Sequence, residues 1–587
     1  MSASYCRVLV LLSCGYIYGI SDADFEIRVP CGPFLRVGRD AGRSVQLRGL
    51  YYNTSIYDPN TQDSVEAYLG IPFATKPVGK NRFREASLRP VHTLGAEFDA
   101  TQWKAGCMQQ PGLFTNDSNL FSEDCLYLNV WKRRGTENGD LRPVVFIIHG
   151  GGYVAGDGHE FDWRGPQMAF FEDLVVVNLN YRLGVFGFLD LGLPHAAGHQ
   201  GHLDQVLALR WVKQNIRYFG GDPDRVTLFG VSAGSFSISW HLLTGLSAGL
   251  FHAAVIDAGV LTLTHAETKR DHILRARQMV QASVCPNLRN DSSKDQRREI
   301  LDCLMGMDAK RLVELQNEYG VSQTYTFRPT FNNEKYLPRS PSCMTNEKAF
   351  AVNVPIIIGD TTNEGLFLLS KKVHGPLPSF QNFEQVLEWD INILRGHHAA
   401  DAAQYGPENE TIRDIYHGRD GNRSSAGETL FNEATQIIGD ALFVCPVMNF
   451  ANRYSTVQPN VYFYRWQRLR VDETFPGERE KGAYHGLMFY TGAGGQYLSL
   501  YGQMADADKL YIQKTIRMIA DFASDPDGAL EFNGTRLAPH RADGAVNNFD
   551  AKGLEIIASH PKARTCRTVW PIFATSGCSK SPSPEIN

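Results

Sequence analysis

The sequence has no excess of positive charge. Its 58 lysines and arginines are outnumbered by 63 aspartates and glutamates, and the 587 residues carry a formal net charge of −5. Binding to nucleic acid or to an anionic membrane surface depends on clustered positive charge. The composition therefore supports neither partner, and its hydrophobic share of 43% is ordinary for a folded protein.

Long apolar runs are also scarce. The clearest one, Val8 to Ile20, follows Arg7 and precedes the small residue Ser21. It is shorter than the roughly 20 residues that cross a bilayer, and its layout is that of a cleaved secretory signal. We therefore expect residues 1–21 to be a signal peptide. Because no later stretch approaches the length of a membrane span and the chain ends in polar residues, we expect no membrane anchor.

Internal repeats and low-complexity linkers are absent from the sequence as well. At about 150 residues per domain the chain could hold several domains, but one large α/β enzyme with long insertions fits its length equally well. Glycine and proline are scattered along the chain rather than gathered in linkers. We therefore predict one continuous domain over residues 22–574, followed by a polar tail at 575–587.

Cysteines, by contrast, are numerous. Eleven occur, and nine remain once Cys6 and Cys14 leave with the signal: Cys31, Cys107, Cys125, Cys285, Cys303, Cys343, Cys445, Cys566 and Cys578. An odd number leaves at least one thiol free or paired between chains. N-x-S/T sequons occur at Asn53, Asn116, Asn290, Asn409, Asn422 and Asn533. Together with the signal, these features predict a secreted, disulfide-bonded glycoprotein.

The stretch from Val226 to Trp240 has the pattern of a strand, an abrupt turn and a helix. Its apolar, β-branched start leads into the pentapeptide GVSAG (230–234), after which small and apolar residues recur at helical spacing. In such a G-x-S-x-G elbow, Gly230 and Gly234 allow the close approach of strand and helix that exposes the hydroxyl of Ser232. The motif predicts a nucleophilic serine, although a small-residue turn without chemistry can have the same letters.

Three glycines follow an apolar run earlier in the chain. Residues Pro143–Ile148 are continuously apolar, as in a strand buried on both faces, and they end at HGGGY (149–153). Consecutive glycines let backbone N–H groups point into a cavity without obstruction, which an oxyanion hole requires. A flexible loop without a role is the alternative, but the later G-x-S-x-G favours the oxyanion hole.

Strand and helix patterns alternate through this part of the chain. Leu174–Asn180 is another continuously apolar run, and Leu203–Ile216 has apolar residues at helical spacing. The Val226 strand follows. This alternation predicts an α/β fold with a mostly parallel sheet covered by helices on both faces.

These motifs carry a resemblance to a known family. SEDCLYLNVW (122–131), HGGGY (149–153), NYRLGVFGFL (180–189) and GVSAGS (230–235) occur in order. Over about residues 68–571 the chain resembles the type-B carboxylesterase and cholinesterase-like family of the α/β-hydrolase superfamily, and these motifs are highly specific. The resemblance implies an α/β-hydrolase fold whose large, mostly parallel central sheet carries long insertions that form a gorge above the active site.

The resemblance also implies the partners of Ser232. The family's acid matches Glu364 in PIIIGDTTNEG (355–365), and its histidine matches His485 in AYHG (483–486). The order serine, acid, histidine is that of the hydrolase fold. His485 would take the proton of Ser232, and Glu364 would orient the imidazole ring and stabilise its charged form.

The same resemblance fixes further expectations. Backbone N–H groups of Gly151, Gly152 and Ala233 would bind the oxyanion on the way to an acyl-enzyme, with no cofactor or metal. The implied disulfides are Cys107–Cys125, Cys285–Cys303 and Cys445–Cys566. Cys31, Cys343 and Cys578 have no counterpart in the family, and Cys578 is a candidate for a bridge between the chains of a homodimer.

The chain departs from the cholinesterase pattern in its substrate region. Between Cys107 and Cys125 it has Phe114 and Phe121 but no tryptophan, whereas cholinesterases place there a tryptophan that attracts a quaternary ammonium. Choline esters are therefore poor candidates, and we expect uncharged carboxylic esters as substrates. Tyr325 and Phe327 fall near the aromatic residues of the family's acyl pocket.

A second departure lies beside the expected triad. Val231 replaces the glutamate that most members carry before the nucleophile, Ala258 replaces a serine, and the region of Leu487 lacks an acid that usually follows the histidine. Replacing a whole buried polar network by apolar groups need not be costly, whereas losing one member would be. We therefore expect drier packing around the triad and an altered turnover or substrate range, without loss of the fold.

Other interpretations remain open on the sequence alone. A non-catalytic adhesion or binding protein on the same fold is one, although such members typically lose a triad residue. An esterase that sequesters esters or organophosphates and releases them slowly is another. A metal site at His195, His199 and His202 has suitable spacing but no fourth ligand, so we expect no metal.

Overall fold

A computed structural model describes most of the chain between residues 32 and 574. The described residues are 32–38, 44–54, 57, 63–111, 120–136, 139–161, 164–262, 265–283, 293–318, 327–368, 385–386, 415–416, 427–467, 483–492, 505–542, 544–550 and 552–574. The signal peptide and the C-terminal tail predicted above lie outside these ranges. So do Cys31, Phe114, Asn116, Cys285, Asn290, Tyr325, Asn409, Asn422 and Cys578.

One sheet organises the described part of the chain. Its strands are β1 Leu50–Asn53, β2 Ser64–Pro72, β3 Tyr127–Arg133, β4 Arg142–Ile148, β5 Val175–Leu179, β6 Gly221–Val231, β7 Ala253–Asp257, β8 Ile356–Thr361, β9 Val461–Trp466, β10 Val546–Asp550 and β11 Gly553–Ile557. They lie in the order β11-β10-β9-β8-β7-β6-β4-β5-β3-β2-β1. Pairing is parallel from β10 through to β5 and antiparallel at both ends.

Helices connect the strands and cover the sheet. They are α1 Arg164–Glu172, α2 Gly184–Phe188, α3 Gln200–Asn215, α4 Ala233–Thr244, α5 Lys269–Gln281, α6 Lys294–Gly306, α7 Ala309–Glu318, α8 Pro341–Asn346, α9 Gly365–Leu368, α10 Gly427–Gly439, α11 Cys445–Tyr454, α12 Leu487–Gly492, α13 Asp506–Ser524 and α14 Ala563–Ala574. Short 3₁₀ turns occupy Gly79–Asn81, Val91–Leu94, Gly158–Phe161 and Ile216–Phe219. A π-helical turn, Asp440–Val444, joins α10 to α11.

Small sheets lie outside the central one. Phe34–Val37, Val45–Arg48 and Glu97–Asp99 form a three-stranded sheet. The two-stranded pairs are Gly106–Cys107 with Phe121–Ser122, Asp190–Leu193 with Ala196–Ala197, Glu267–Thr268 with Thr330–Phe331, and Glu531–Phe532 with Thr535–Arg536.

The central sheet is buried on both faces. Along β4, Val144, Phe146 and Ile148 pack into one hydrophobic core, while Val145 and Ile147 pack into the other. This follows from the alternation of side chains in a strand, and it explains why the run is apolar at every position. The α/β prediction with helices on both faces is confirmed.

Element boundaries differ modestly from those predicted. The apolar run at 174–180 forms β5, and the predicted helix 203–216 begins at Gln200. The strand before Ser232 starts at Gly221 rather than Val226, because Gly221 pairs with Arg142 before an irregularity that ends at Val226. The irregular stretch contains Pro223, whose missing N–H suits a break in regular pairing.

The expectation that no later stretch reaches the length of a membrane span was wrong. Helical residues Leu430–Tyr454 form a run of 25 residues that is long and apolar enough to cross a bilayer. However, 89% of its most apolar window is buried within the protein. A core helix of a large α/β protein needs the same composition, because it packs against apolar neighbours on several sides.

Candidate active site

The carboxyl ends of neighbouring parallel strands assemble the site. Strands β6, β7 and β8 lie side by side and end at Val231, Asp257 and Thr361. Loops that follow the carboxyl ends of parallel strands meet at one edge of a sheet, where α/β proteins usually bind their ligands. Ser232 and Glu364 leave the sheet at this edge.

Ser232 stands between the end of β6 and the start of α4. Its backbone has φ 55° and ψ −122°, a conformation that L-residues rarely adopt. Two backbone hydrogen bonds stabilise this conformation. The Ser232 N–H donates to the carbonyl of Asp257 (3.1 Å), and the Ser232 carbonyl accepts from the Phe236 N–H (2.8 Å). A strained, over-determined residue at such a turn is a frequent mark of function.

The two elbow glycines permit this turn. A Cβ atom on Gly234 would lie 2.1 Å from the carbonyl oxygen of Ile148, and one on Gly230 would lie 2.6 Å from the carbonyl carbon of Gly234. Both positions therefore need glycine, as the sequence motif predicted. The close approach joins β4, β6 and α4 at one point.

The glycine-rich strip lies beside Ser232. A Cβ on Gly150 would come within 3.2 Å of the Ser232 Cβ, and both Gly151 (φ 98°) and Gly152 (φ 63°) have left-handed backbone. Ala233 is the first residue of α4, and the first N–H groups of a helix have no partner within it. The strip and the helix start thus border the serine with backbone N–H groups.

The side chain of His149 packs beside the glycines that follow it. Its ring stacks on Tyr181 with 4.3 Å between centroids, and its Nδ1 lies 2.9 Å from the Gly150 carbonyl. The Tyr181 hydroxyl donates to the His149 carbonyl (2.9 Å). Burial lowers the pKa of His149 to about 4, so the ring is neutral near pH 7 and serves to shape the strip.

Glu364 and His485 are in direct contact. The His485 Nδ1 lies 2.5 Å from Glu364 Oε2, and the Thr361 N–H donates to Glu364 Oε1 (2.6 Å). Both residues are buried, with Glu364 1% and His485 6% exposed. Because both oxygens of the carboxylate are engaged, the imidazole is held in one orientation.

Backbone pairing brings the acid and histidine segments together. Asn363 forms an isolated parallel bridge with Tyr484, and its N–H donates to the carbonyl of Ala483 (2.9 Å). These bonds join residues adjacent to Glu364 and His485. The ring of Phe443, in the π-helical turn, packs on the His485 ring at 4.4 Å; such turns are frequent at functional sites.

A buried acid that the sequence analysis did not single out connects the two halves of the site. Asp257, at the end of β7, is fully buried; its carboxyl accepts from the Phe489 N–H (2.8 Å) and from the Tyr464 hydroxyl. Burial raises the pKa of Asp257 to about 8; the Tyr464 bond opposes this shift and the nearby Glu364 carboxylate adds to it. A buried acid therefore lies next to the apolar positions 231 and 258 in the shell of residues around the expected triad.

The other members of that shell are apolar and tightly packed. Val231, Leu487, Met488 and Phe489 belong to one hydrophobic core, and Ala258 is fully buried. Phe489 also meets Phe229 edge to face at 4.6 Å. Asp257 remains as a buried acid among them, because donors from distant segments satisfy its carboxyl.

Substitution Val231→Glu tests this shell. Val231 is 3% exposed and pairs with Asp257 across β6 and β7, so a new carboxylate would stand beside an existing buried acid. We expect the free energy of unfolding to fall by roughly 2–4 kcal/mol, with a change in esterase turnover. The control is Val231→Gln, whose side chain is similar in size to that of Glu but uncharged, and both variants are compared in urea denaturation and in esterase rate. Wild-type rates for Val231→Glu would show that the packing around the triad has no kinetic role.

The candidate metal and acyl-pocket residues are described except for Tyr325. His195 is exposed, whereas the rings of His199 and His202 are buried and joined through their Nδ1 atoms at 3.2 Å, with the Thr330 carbonyl and the Tyr153 hydroxyl as further partners. Within the described ranges, no group of three potential metal ligands occurs. Phe327 is buried against His272 and Arg275.

The cysteines form the bonds that the resemblance implied wherever both partners are described. Cys107 is bonded to Cys125 and Cys445 to Cys566. Cys303 and Cys343 are disulfide-bonded too, so Cys343 is not a free thiol. The Cys445–Cys566 bond ties α11, beside the site, to α14.

The sheet order, the serine elbow and the connections at the carboxyl edge define an α/β-hydrolase. Residues 44–542 match the model of the Carboxylesterase family, and the chain belongs to that family. It is a carboxylic ester hydrolase, as the family and the relatives agree.

Individual relatives are identical to the chain at about a third of the aligned positions. It is similar to "Pyrethroid hydrolase Ces2a" of Mus musculus, with 33% identity over 75% of this chain and 77% of the relative. It is also similar to "Cocaine esterase" of Oryctolagus cuniculus, with 32% identity over 72% and 75% of the two chains. For "Acylcarnitine hydrolase" of Mus musculus the identity is 32% over 73% and 74%.

Proposed function

We propose that the protein hydrolyses uncharged carboxylic esters through an acyl-enzyme on Ser232. The observation that supports this most strongly is the buried contact of 2.5 Å between His485 Nδ1 and Glu364 Oε2, at the same sheet edge as the strained serine. A carboxylate in that position fixes the tautomer that leaves Nε2 free to accept a proton. The arrangement has the parts of a nucleophile, a base and an orienting acid.

The proposed reaction has two halves. His485 takes the proton of Ser232 as its oxygen attacks the ester carbonyl, and the N–H groups of Gly151, Gly152 and Ala233 bind the resulting oxyanion. Collapse of this intermediate expels the alcohol, which receives the proton from His485. Water, activated by the same imidazole, then attacks the acyl-enzyme and releases the carboxylic acid.

One experiment tests this function against its two rivals. The wild-type protein and Ser232→Ala are incubated with a fluorophosphonate probe and, separately, with 4-nitrophenyl acetate. We expect labelling and steady turnover in the wild type and neither in the variant. A single burst without turnover would instead indicate a sequestering esterase, and no Ser232-dependent labelling would indicate a binding protein.

The preference for uncharged esters follows from the lack of a tryptophan between Cys107 and Cys125. Without that ring, a quaternary ammonium loses an attraction that is worth up to about 2 kcal/mol when desolvated. Kcat/KM for 4-nitrophenyl butyrate should therefore exceed that for butyrylcholine. Equal values after correction for leaving-group reactivity would contradict the preference. The names of the relatives make pyrethroids, cocaine and acylcarnitines useful further test substrates.

We also propose that the protein is secreted and glycosylated. The two described disulfides, Cys107–Cys125 and Cys445–Cys566, support an oxidising compartment. The Asn533 sequon is exposed at the turn between Glu531–Phe532 and Thr535–Arg536, where a glycan would be solvated. Expression of the full chain in a secreting cell should place it in the medium, with its mass lowered by peptide N-glycosidase. Retention in the cytosol with residues 1–21 intact would contradict this.

A further inference from the structure

The backbone of Asp257 holds the serine elbow. Its carbonyl accepts hydrogen bonds from the Ser232 N–H (3.1 Å) and from the hydroxyl of Ser235 (2.7 Å). The Ser235 hydroxyl also lies 2.6 Å from the carbonyl of Gly230. The last residue of β7 is therefore bonded to the nucleophile itself and to the residue three positions after it.

The side chain of the same residue reaches the segment that carries His485. Its Oδ2 accepts from the Phe489 N–H (2.8 Å), in the first turn of α12, and Phe489 lies four residues after His485. First-turn N–H groups have no partner inside a helix, and a carboxyl oxygen that accepts one fixes the start of the helix. Asp257 does this from a different strand of the sheet, through a bond that spans 232 residues of sequence.

A third contact holds the Asp257 carboxyl itself. The hydroxyl of Tyr464, on β9, bonds to Oδ1, so the two carboxyl oxygens face two different elements. Tyr464 is 1% exposed, and its ring packs near Phe549. The carboxyl is thus held between β9 and α12 and has little freedom to turn.

We propose that Asp257 is a positioning residue, which sets the segment of His485 against the Ser232 elbow by bonding to Phe489 with its side chain and to Ser232 with its backbone. This inference depends on the proposed triad. It assigns to Asp257 a role in turnover that is separate from substrate binding. The role requires an acceptor for the Phe489 N–H, and it does not require a negative charge.

The charged groups near Asp257 are consistent with a positioning role in which its carboxyl carries no charge. Asp360 has Arg465 (3.1 Å) and His560 (3.0 Å) as its partners, and Glu364 has His485. The Asp257 carboxyl accepts from the neutral groups of Phe489 and Tyr464. Burial, and to a smaller extent the nearby carboxylates of Glu364 and Asp360, raises its pKa and so favours its protonated form. An amide could therefore replace this carboxyl, since its oxygen accepts from Phe489 and its NH₂ donates to the Tyr464 oxygen.

The test compares two substitutions whose side chains have the same number of heavy atoms and the same branching. Asp257→Asn keeps the acceptor for the Phe489 N–H, and Asp257→Leu removes it. With 4-nitrophenyl acetate we expect the Asn variant to retain kcat within about threefold of the wild type. We expect the Leu variant to lose about 10²-fold in kcat with KM nearly unchanged, since a displacement of about 1 Å between catalytic groups costs that much. The rate of labelling by a fluorophosphonate should fall by a similar factor.

Tyr464→Phe is the matched control, because it removes the other hydrogen bond of the carboxyl and leaves the Phe489 bond in place. It should lower kcat less than Asp257→Leu does, while thermal unfolding shows that all variants are folded. The proposal is overturned if the folded Leu variant keeps wild-type kcat, or if the Asn variant is as slow as the Leu variant. If Leu prevents folding, the Asn variant alone decides, and a 10²-fold loss there contradicts the proposal. Absence of hydrolysis in the wild type would refute the proposed function instead.

Discussion

His485→Ala is expected to lower kcat for 4-nitrophenyl acetate by about 10⁶-fold, the size of the loss when a serine hydrolase loses its base. Without the imidazole, no group accepts the Ser232 proton, and the free hydroxyl is a weak nucleophile. The protein should stay folded, because His485 lies in a turn before α12 and not within the central sheet. The measurement is kcat by stopped assay at high enzyme concentration, with thermal unfolding as the check on the fold.

The double variant Ser232→Ala/His485→Ala sharpens this prediction. Residues that act as one unit show grossly non-additive losses, so the double variant should be no slower than either single one. The residual rate should remain above that of water, because the N–H groups beside Ser232 still polarise the carbonyl. Independent losses that multiply in the double variant would contradict a shared catalytic unit.

Glu364→Gln is expected to lower kcat by about 10⁴-fold with little change in KM. The amide keeps the shape of the carboxyl, but its NH₂ can face His485 Nδ1 and stabilise the tautomer that carries its proton on Nε2. That tautomer cannot accept the Ser232 proton. The effect should be large because Glu364 is 1% exposed, so water cannot replace the lost carboxylate.

The control for this substitution is Glu347→Gln. Glu347 is an exposed partner of Arg339, and exposed ion pairs contribute little. Its kcat and its unfolding temperature should stay close to wild type. If Glu364→Gln also kept wild-type kcat, the carboxylate at 2.5 Å from His485 would have no part in the reaction.

Local patterns in the sequence predicted the scaffold well. The continuous apolar run before HGGGY became β4, and GVSAG became a turn that only glycine permits at positions 230 and 234. These features depend on neighbouring residues and on the burial of both sheet faces, which a single sequence displays directly. The family resemblance supplied Glu364 and His485, whose contact joins residues 121 positions apart.

Contacts between distant residues could not be read from such patterns. In the sequence, Asp257 is simply the polar residue that ends an apolar strand. Its partners Tyr464 and Phe489 lie 207 and 232 residues further along the chain. Only the folded sheet brings them together. The burial of Leu430–Tyr454 could not be read from local patterns either. That burial accounts for its long apolar run without a membrane.

The most direct test of the central claim is to locate the covalent adduct. The wild-type protein is labelled with a fluorophosphonate, digested and sequenced by tandem mass spectrometry. We predict one adduct per chain, on Ser232, formed fast in the wild type and at least 10³-fold more slowly in His485→Ala. An adduct on another residue, or labelling of Ser232 at the same rate without His485, would contradict the proposed mechanism.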